Sequence, residues 1–323
     1  MQRKKFVIAI DIGYGDPKIY FKNNKGEEVY FKFTNAISFA GNSSVDYNQN
    51  ALEVFTFNDL EYLVGEQALL NKPFITRQYS YMYEYAPLLL YKALKMSGVK
   101  PSDEIKLITG LSLKDWSKAE EFGERLSNIF VNNEHYKIDP ENIYIVPQGK
   151  GVYIDYKISN HDEIKEDFFA VLDIGYNTFD HLIFMNGIPI PNKNYANTYG
   201  VNTLVQELQK YLNKELNIVF SEQEVKDILL NRSVRIGAKT HDLTDVISKE
   251  ILKYSKLLQN EIFSKNGDVI NKVFKVIISG GGAYLLKENN IEIFDHQVYS
   301  NTPYEFANVR GYYKELEGII SEQ

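Results

Sequence analysis

Two short stretches of the chain pair an aspartate with a glycine turn. Residues 9–18 read AIDIGYGDPK and residues 171–180 read VLDIGYNTFD. In each, an apolar run ends in Asp-Ile-Gly-Tyr. Glycine lets backbone N–H groups approach an anion without a Cβ in the way, and successive N–H groups form a nest for phosphate oxygens. Asp11 and Asp173 would place a carboxylate beside those phosphates. Two carboxylates repel a polyphosphate unless Mg²⁺ lies between them. The pair therefore points to a clamp on a magnesium nucleotide with one jaw in each half of the chain, and Lys18 adds a positive charge. The competing reading is two tight hairpins in which Asp serves as a turn residue. A third stretch, VIISGGGAYLL at residues 276–286, reads as a strand, the three glycines Gly280, Gly281 and Gly282, and a helix start. Such a backbone can lie flat on a ring or approach a phosphate closely, although flexible loops use the same composition.

The elements that must carry these turns repeat. In the first half, Phe6–Ile12, Lys18–Lys22 and Glu27–Phe33 predict a β-meander broken at Gly13, Gly15 and 23–26. A polar stretch, Gly41–Asn50, follows. Tyr81–Met96 reads as a helix, with Pro87 at a bend or in a first turn. Ile105–Thr109 reads as a strand, Asp115–Phe130 as a helix, and Ile143–Val146 as a strand ended by Pro147. In the second half, Phe168–Ile174 and Phe179–Met185 read as strands, with a break at Gly187–Pro191. Gly200–Leu212 reads as a helix, and Ser221 with Glu224 forms a capping box. Leu243, Ile247, Ile251, Tyr254, Leu258 and Ile262 mark one face of a long helix. Phe274–Ile278 reads as a strand and Pro303–Gly318 as mostly helix. Strands lead and helices follow in both halves, the signature of a duplicated α/β unit. The polar cluster Ser159, Asn160, His161 and Asp162 marks the joint. The domains expected are residues 1–158 with 306–323, and residues 159–305.

Composition narrows the function classes. The chain has 323 residues, 44% hydrophobic and 24% charged, ordinary for a globular protein with room for a sizeable core. With no cysteine, disulfides and thiolate metal sites are excluded. A net charge of -7 argues against non-specific DNA binding by the folded body. The 24 Tyr and 19 Phe suit strand packing or a self-association surface. No apolar run reaches the roughly 18–20 residues of a membrane helix. The basic-then-apolar start, MQRKKFVIAIDIG, stops at Asp11 and enters a glycine turn without a small-residue cleavage site. It reads as a first strand and not as a signal peptide, so a cytoplasmic protein is expected.

Taken together, DIGYGDPK, DIGYNTFD and SGGGAYLL resemble the two phosphate loops and the adenosine loop of the actin, Hsp70 and sugar-kinase superfamily. IYIVPQGKG (143–151) resembles its first connecting segment and EFANVRG (305–311) its second. The order is the superfamily's, and the motifs span nearly the whole chain. The resemblance implies duplicated RNase H-like, actin-like domains with a nucleotide cleft between them. Length and the DxGYGxxK form are most similar to the prokaryotic actin-like proteins. TGLSLKDW (109–116) and TYGVNTLVQEL (198–208) resemble segments of plasmid-segregation actins of the ParM type.

Residue by residue, the resemblance implies that Asp11 and Asp173 hold Mg²⁺, mostly through water. Gly13, Tyr14, Gly15 and Lys18 would hold the β- and γ-phosphates from one domain, and Gly175, Asn177 and Thr178 from the other. Gln148 would orient the attacking water, a place where ParM-type proteins more often have Glu; a glutamine cannot be a general base, so slow hydrolysis is expected. Gly280, Gly281, Gly282 and Tyr284 would line the adenosine side, with Glu207 a candidate for the ribose or base. The chain departs from the family at Tyr14, where conventional actin has a small hydroxyl residue, and at His181, which reads as a strand residue. His135, His161, His241 and His296 show no metal spacing.

The function implied is a filament-forming ATPase using ATP or GTP with Mg²⁺. Its partner would be itself, with a DNA-binding adaptor joining the filament to plasmid DNA, and neither nucleic acid nor membrane would be contacted directly. Two alternatives stay open: a monomeric kinase of a small molecule, which needs an acidic base in the cleft, and a nucleotide-binding scaffold such as a cell-division or pilus adaptor.

Overall fold

An apolar run without polar alternation suits a strand covered on both faces, and KFVIAIDI becomes such a strand, β1 (Lys5–Ile12), with Ile8, Ala9, Ile10 and Ile12 all buried. The structure is a computed structural model that describes residues 4–41, 52–74, 78–161, 167–190 and 192–322. The polar stretch expected at 41–50 and Asp162 of the joint lie almost wholly outside the described residues. The chain forms two units, Met1–Ser159 with Phe306–Gln323, and Asn160–Glu305.

In the first unit, β1 runs antiparallel to β2 (Pro17–Lys22), which runs antiparallel to β3 (Glu28–Lys32). A separate three-stranded sheet follows, from β4 (Ile37–Phe39), β5 (Phe55–Phe57) and β6 (Leu60–Val64). Helix α1 (Tyr79–Met96) leads to β7 (Glu104–Leu111), parallel to β1. Helix α2 (Ala119–Leu126) and the hairpin of β8 (Asn128–Val131) and β9 (Glu134–Lys137) precede β10 (Ile143–Pro147), parallel to β7. The main sheet has the order β10-β7-β1-β2-β3. Helix α3 (Lys150–Ser159) ends the first pass, and the last helix of the chain, α8 (Ala307–Glu322), returns to pack on α3 and β1.

The approach of α3 and α8 is backbone to backbone. A Cβ on Gly311 would stand 1.8 Å from the Gly151 carbonyl oxygen, so only glycine fits. One turn on, the buried carboxylate of Asp155 accepts from Arg310 Nη2 at 2.9 Å and from Lys314 Nζ at 2.8 Å. That carboxylate is 1% exposed, a burial tolerable only with such partners.

The second unit repeats the plan. Strand β11 (Phe168–Ile174) is antiparallel to β12 (Phe179–Met185), which pairs with β13 (Ile188–Pro189) and β14 (Tyr195–Asn197). Helices α4 (Val201–Leu216) and α5 (Glu222–Asn231), the hairpin of β15 (Ser233–Ile236) and β16 (Lys239–Asp242), and α6 (Thr244–Ile270) follow. Strand β17 (Lys275–Ser279) is parallel to β11, α7 (Gly282–Glu288) comes next, and β18 (Gln297–Tyr299) is parallel to β17. The order β13-β12-β11-β17-β18 matches the first unit in sequence and direction. The capping box is present, with Ser221 Oγ accepting from the Glu224 N–H and Glu224 accepting from the Ser221 N–H. All six residues of the marked α6 face are buried.

The structure corrects two local expectations. Helix does not run through Asp115–Phe130: a 3-10 turn (Leu113–Lys118) and α2 stop at Leu126, and Ile129 and Phe130 lie in β8. Asn132 and Asn133, both with positive φ (52° and 60°), turn the chain back into β9, the left-handed pair that a two-residue hairpin favours. Pro87 lies inside α1 and not in its first turn. Proline has no N–H for the carbonyl four residues back, and that carbonyl, of Tyr83, instead accepts from Arg125 Nε at 3.3 Å.

Candidate functional site

Both units put an aspartate at the penultimate position of their central strand and turn on the Ile-Gly-Tyr that follows. Asp11 stands opposite Lys18 in the β1–β2 pair, and Asp173 stands opposite Asp180 in the β11–β12 pair. The two loops are therefore unequal in charge: a lysine in the first unit occupies the place of an aspartate in the second. Asp11 and Asp173 are both buried.

In the first unit, Gln148 follows the end of β10. Its N–H donates to the Leu111 carbonyl at 2.9 Å, and its Nε2 donates to Asp11 Oδ1 at 2.8 Å. Gly149, at φ +89°, lets the chain turn at once into α3, and its N–H donates to Asn308 Oδ1 of the returning helix at 2.9 Å. The first loop is tied from below. Asn35 Nδ2 donates to the Gly13 carbonyl at 2.8 Å, and the Asn35 N–H donates to the Gly15 carbonyl at 2.9 Å. Lys18 Nζ folds onto the loop and donates to the Asp16 carbonyl at 2.9 Å. Tyr14 packs its ring on the core of its unit and lies 3.5 Å, through its hydroxyl, from Asp115. The Tyr14 side chain is thus engaged away from the loop, leaving its backbone N–H as the group that could meet an anion.

In the second unit the loop is closed on itself, the Gly175 N–H donating to the Thr178 carbonyl at 3.0 Å. The first turn of α4 holds it: the Val201 N–H donates to the Gly175 carbonyl at 3.0 Å and the Asn202 N–H to the Tyr176 carbonyl at 2.7 Å. Gly200 permits this, because a Cβ there would stand 2.5 Å from the Tyr176 carbonyl oxygen. Tyr176 reaches Glu222 on α5 at 2.6 Å, while Asn177 and Thr178 are buried beside the loop.

The triple glycine lies against the end of β11. Gly280 has φ +81°, and a Cβ on it would stand 2.5 Å from the Ile174 carbonyl oxygen and 2.6 Å from Asp173 Oδ1. A Cβ on Gly282 would stand 2.2 Å from Ile174 Cγ2, whereas one on Gly281 meets nothing within 4 Å. So Gly280 and Gly282 are required by packing and Gly281 presents open backbone. Tyr284 donates to Glu305 at 2.8 Å and packs its ring at a tilt against Tyr304, 4.7 Å between ring centroids. Burial and the neighbouring Glu305 push its hydroxyl pKa up to about 12. Asp173, Gly175, Asn177, Thr178 and Gly280–Gly282 thus form one cluster, and Asp11, Gly13, Gly15, Lys18 and Gln148 another. Glu207 is exposed on α4 and paired with Lys210 at 2.6 Å.

His181 is a buried strand residue. Asn266 Nδ2 donates to its Nδ1 at 3.0 Å, and burial lowers its pKa from 6.5 to about 3, so the ring is neutral. Among the described residues no three His, Asp or Glu side chains gather as a metal group. The oxygen chemistry of the Asp11 and Asp173 carboxylates nevertheless suits a hard cation.

Sequence reasoning missed Asn35 and the close approach of Gly200. The only local signal for Asn35 was a polar pair, Thr34–Asn35, breaking an apolar stretch.

A model of the N-terminal domain of actin-like proteins matches residues 9–151. A model described as the C-terminal part of the archaeal actin homologue, MreB-like, matches residues 171–291. No curated protein matches the sequence. Among solved structures, a 15-stranded ParM filament from Clostridium botulinum is similar at TM-score 0.77 and 21% identity, over 98% of this chain and 99% of that one. A non-polymerisable quadruple mutant of pCBH ParM gives TM-score 0.76 at 23% identity, over 98% and 100%. An archaeal actin homologue in complex with ADP gives TM-score 0.77 at 20% identity, over 97% and 99%.

Proposed function

The chain belongs to the actin-like proteins, and on that premise we propose that it is a nucleotide-dependent, filament-forming ATPase in which both aspartate–glycine loops serve one magnesium nucleotide. The observation that carries this reading is the doubled arrangement itself: a buried aspartate at the end of each central strand, followed by a loop whose carbonyls are tied back by donors. Tying these carbonyls back occupies their negative ends, which would otherwise repel an anion at the loop.

Asp11 and Asp173 would hold the magnesium ion, largely through water, and Lys18 would offset phosphate charge by leaving its contact with the Asp16 carbonyl. Magnesium, when bound, neutralises the charge of the phosphates. Gln148 is held by Asp11 through its amide nitrogen, which leaves its carbonyl oxygen free to orient a water. It has no basic group, so acceleration rests on positioning and on the field of the loops, and turnover would be slow. The open backbone at Gly281 and the Tyr284 ring would border the nucleoside.

Self-assembly draws support from the likeness to filament structures, the ParM filament and an Alp12 filament at TM-score 0.66 and 21% identity. Nucleotide binding draws support from the neighbour that holds ADP. A part in DNA segregation, through a separate DNA-binding adaptor, is an analogy to ParM alone. A net charge of -7 favours an adaptor over direct contact with DNA.

Calorimetry with Mg-ADP tests the shared site. One nucleotide per chain is expected, with affinity reduced in Asp11→Ala and in Asp173→Ala alike. Two independent sites, or loss in only one variant, would overturn the shared-site reading, and no binding would overturn the function.

A further inference from the structure

The two loops are held by unlike means. In the second unit two carbonyls, of Gly175 and Tyr176, are held by the first turn of a 16-residue helix, α4. In the first unit two carbonyls, of Gly13 and Gly15, are held by a single residue, Asn35. Asn35 is 7% exposed. Its amide is oriented by donation to Gly13, and its buried Oδ1 has no hydrogen-bond partner among the described residues. A buried amide used on one side only is not explained by packing, since an apolar residue would fill the space without an unmet acceptor.

Asn35 also sits in a segment that faces two ways. Next to it, the Thr34 N–H and hydroxyl both donate to Glu66 Oε1, at 2.9 and 3.2 Å. The Gly65 N–H donates to the Ala36 carbonyl at 2.8 Å. Burial pushes the Glu66 carboxyl upward, but the Thr34 donors and Lys92 outweigh it and hold it below its ordinary range. Lys92 is itself buried, donates to the Val64 carbonyl at 2.7 Å and lies over the rings of Phe33 and Phe55. Glu66 lies in the first turn of a short 3-10 segment, Gly65–Leu70, that ends in Leu69 and in Leu70, which is 84% exposed. One residue thus touches the first loop while its neighbour touches the segment carrying an exposed apolar tip.

We propose that Asn35 is the positioning residue of the first phosphate loop, and that through Thr34 and Glu66 it links that loop to the Gly65–Leu70 segment. The loop-bracing part stands on the geometry alone; the link to nucleotide state rests on the function proposed above. An anion drawing the loop amides outward pulls on the Gly13 and Gly15 carbonyls, and Asn35 carries that pull to Thr34. The exposed Leu69–Leu70 tip then reports whether the first loop is filled.

Amide hydrogen exchange on the full chain, with and without Mg-ADP, tests this in wild type, Asn35→Ala and Glu66→Ala. Without nucleotide, Asn35→Ala is expected to exchange roughly fivefold faster over residues 11–18, the loss of about one hydrogen bond, with residues 171–180 unchanged. With Mg-ADP, wild type is expected to slow exchange over residues 60–70. Asn35→Ala loses that slowing and binds Mg-ADP roughly fivefold more weakly. Glu66→Ala, one residue removed from the loop-bracing side chain, loses the slowing over 60–70 while keeping the protection of 11–18. Unchanged exchange over 11–18 in nucleotide-free Asn35→Ala overturns the brace. Slowing over 60–70 that survives in both variants overturns the link, and a Glu66→Ala chain that retains it does so even if Asn35→Ala fails to fold. If wild type binds no nucleotide, the proposed function falls, and the nucleotide-free comparison still decides the brace.

Discussion

Gln148 Nε2 donates to Asp11 Oδ1 at 2.8 Å, joining residues that lie 137 positions apart in the chain. The bond fixes which end of the glutamine amide faces the aspartate and so which end is left for water. Gln148→Ala should leave Mg-ADP binding within about twofold and slow phosphate release roughly a hundredfold, the usual scale for losing a group that positions a reacting water. Single-turnover phosphate release beside calorimetry measures both. An unchanged rate would remove Gln148 from the reaction.

The triple glycine gives a paired stability prediction. Gly280→Ala forces a Cβ against the Ile174 carbonyl and the Asp173 carboxylate at a positive φ, and should cost about 2–3 kcal/mol. Gly281→Ala meets nothing within 4 Å and should stay within about 0.5 kcal/mol of wild type. Urea unfolding of the two variants checks the contrast, which equal losses would contradict.

Asp155 is held by two cations at the contact of α3 with α8. Removing it leaves Arg310 and Lys314 facing each other in a largely buried place. Asp155→Ala should cost about 3–5 kcal/mol, read from the denaturation midpoint.

His181 sets part of the acid limit of stability. Its folded pKa, about 3, lies below its ordinary 6.5 because burial disfavours the charged ring. The unfolded chain therefore binds a proton that the folded chain refuses, and stability falls as pH drops from about 6.5 towards 3. The slope is at most about 1.4 kcal/mol per pH unit. His181→Gln should flatten that part of the stability–pH curve, whatever it costs at neutral pH. An unchanged slope would mean that the ring is not kept neutral.

What the sequence made legible was what is local. The strand–Asp–Gly turns, the Ser221–Glu224 cap and the apolar face of α6 each follow from a period or a spacing within a few residues, and each stands in the structure as read. What escaped depended on distant partners. Asn35 acts on residues 20 or more positions earlier, and the polar pair Thr34–Asn35 in FTNA does not say which residues it will meet. The end of α2 escaped because Ile129 and Phe130 continue an apolar pattern that fits helix and strand alike, and the deciding feature is the turn at Asn132 and Asn133. For Tyr14, the sequence places the residue in the loop, but its ring is claimed by the core and by Asp115, a contact across 101 positions.

The central claim is that a nucleotide held by both loops drives self-assembly. The most direct measurement is pelleting with negative-stain microscopy in Mg-ATP, Mg-ADP and no nucleotide, beside Asp173→Ala. The account predicts filaments that need Mg-ATP and are lost in the variant. Chains that bind Mg-ATP yet stay monomeric at every protein concentration, or filaments indifferent to nucleotide and to Asp173→Ala, would contradict it.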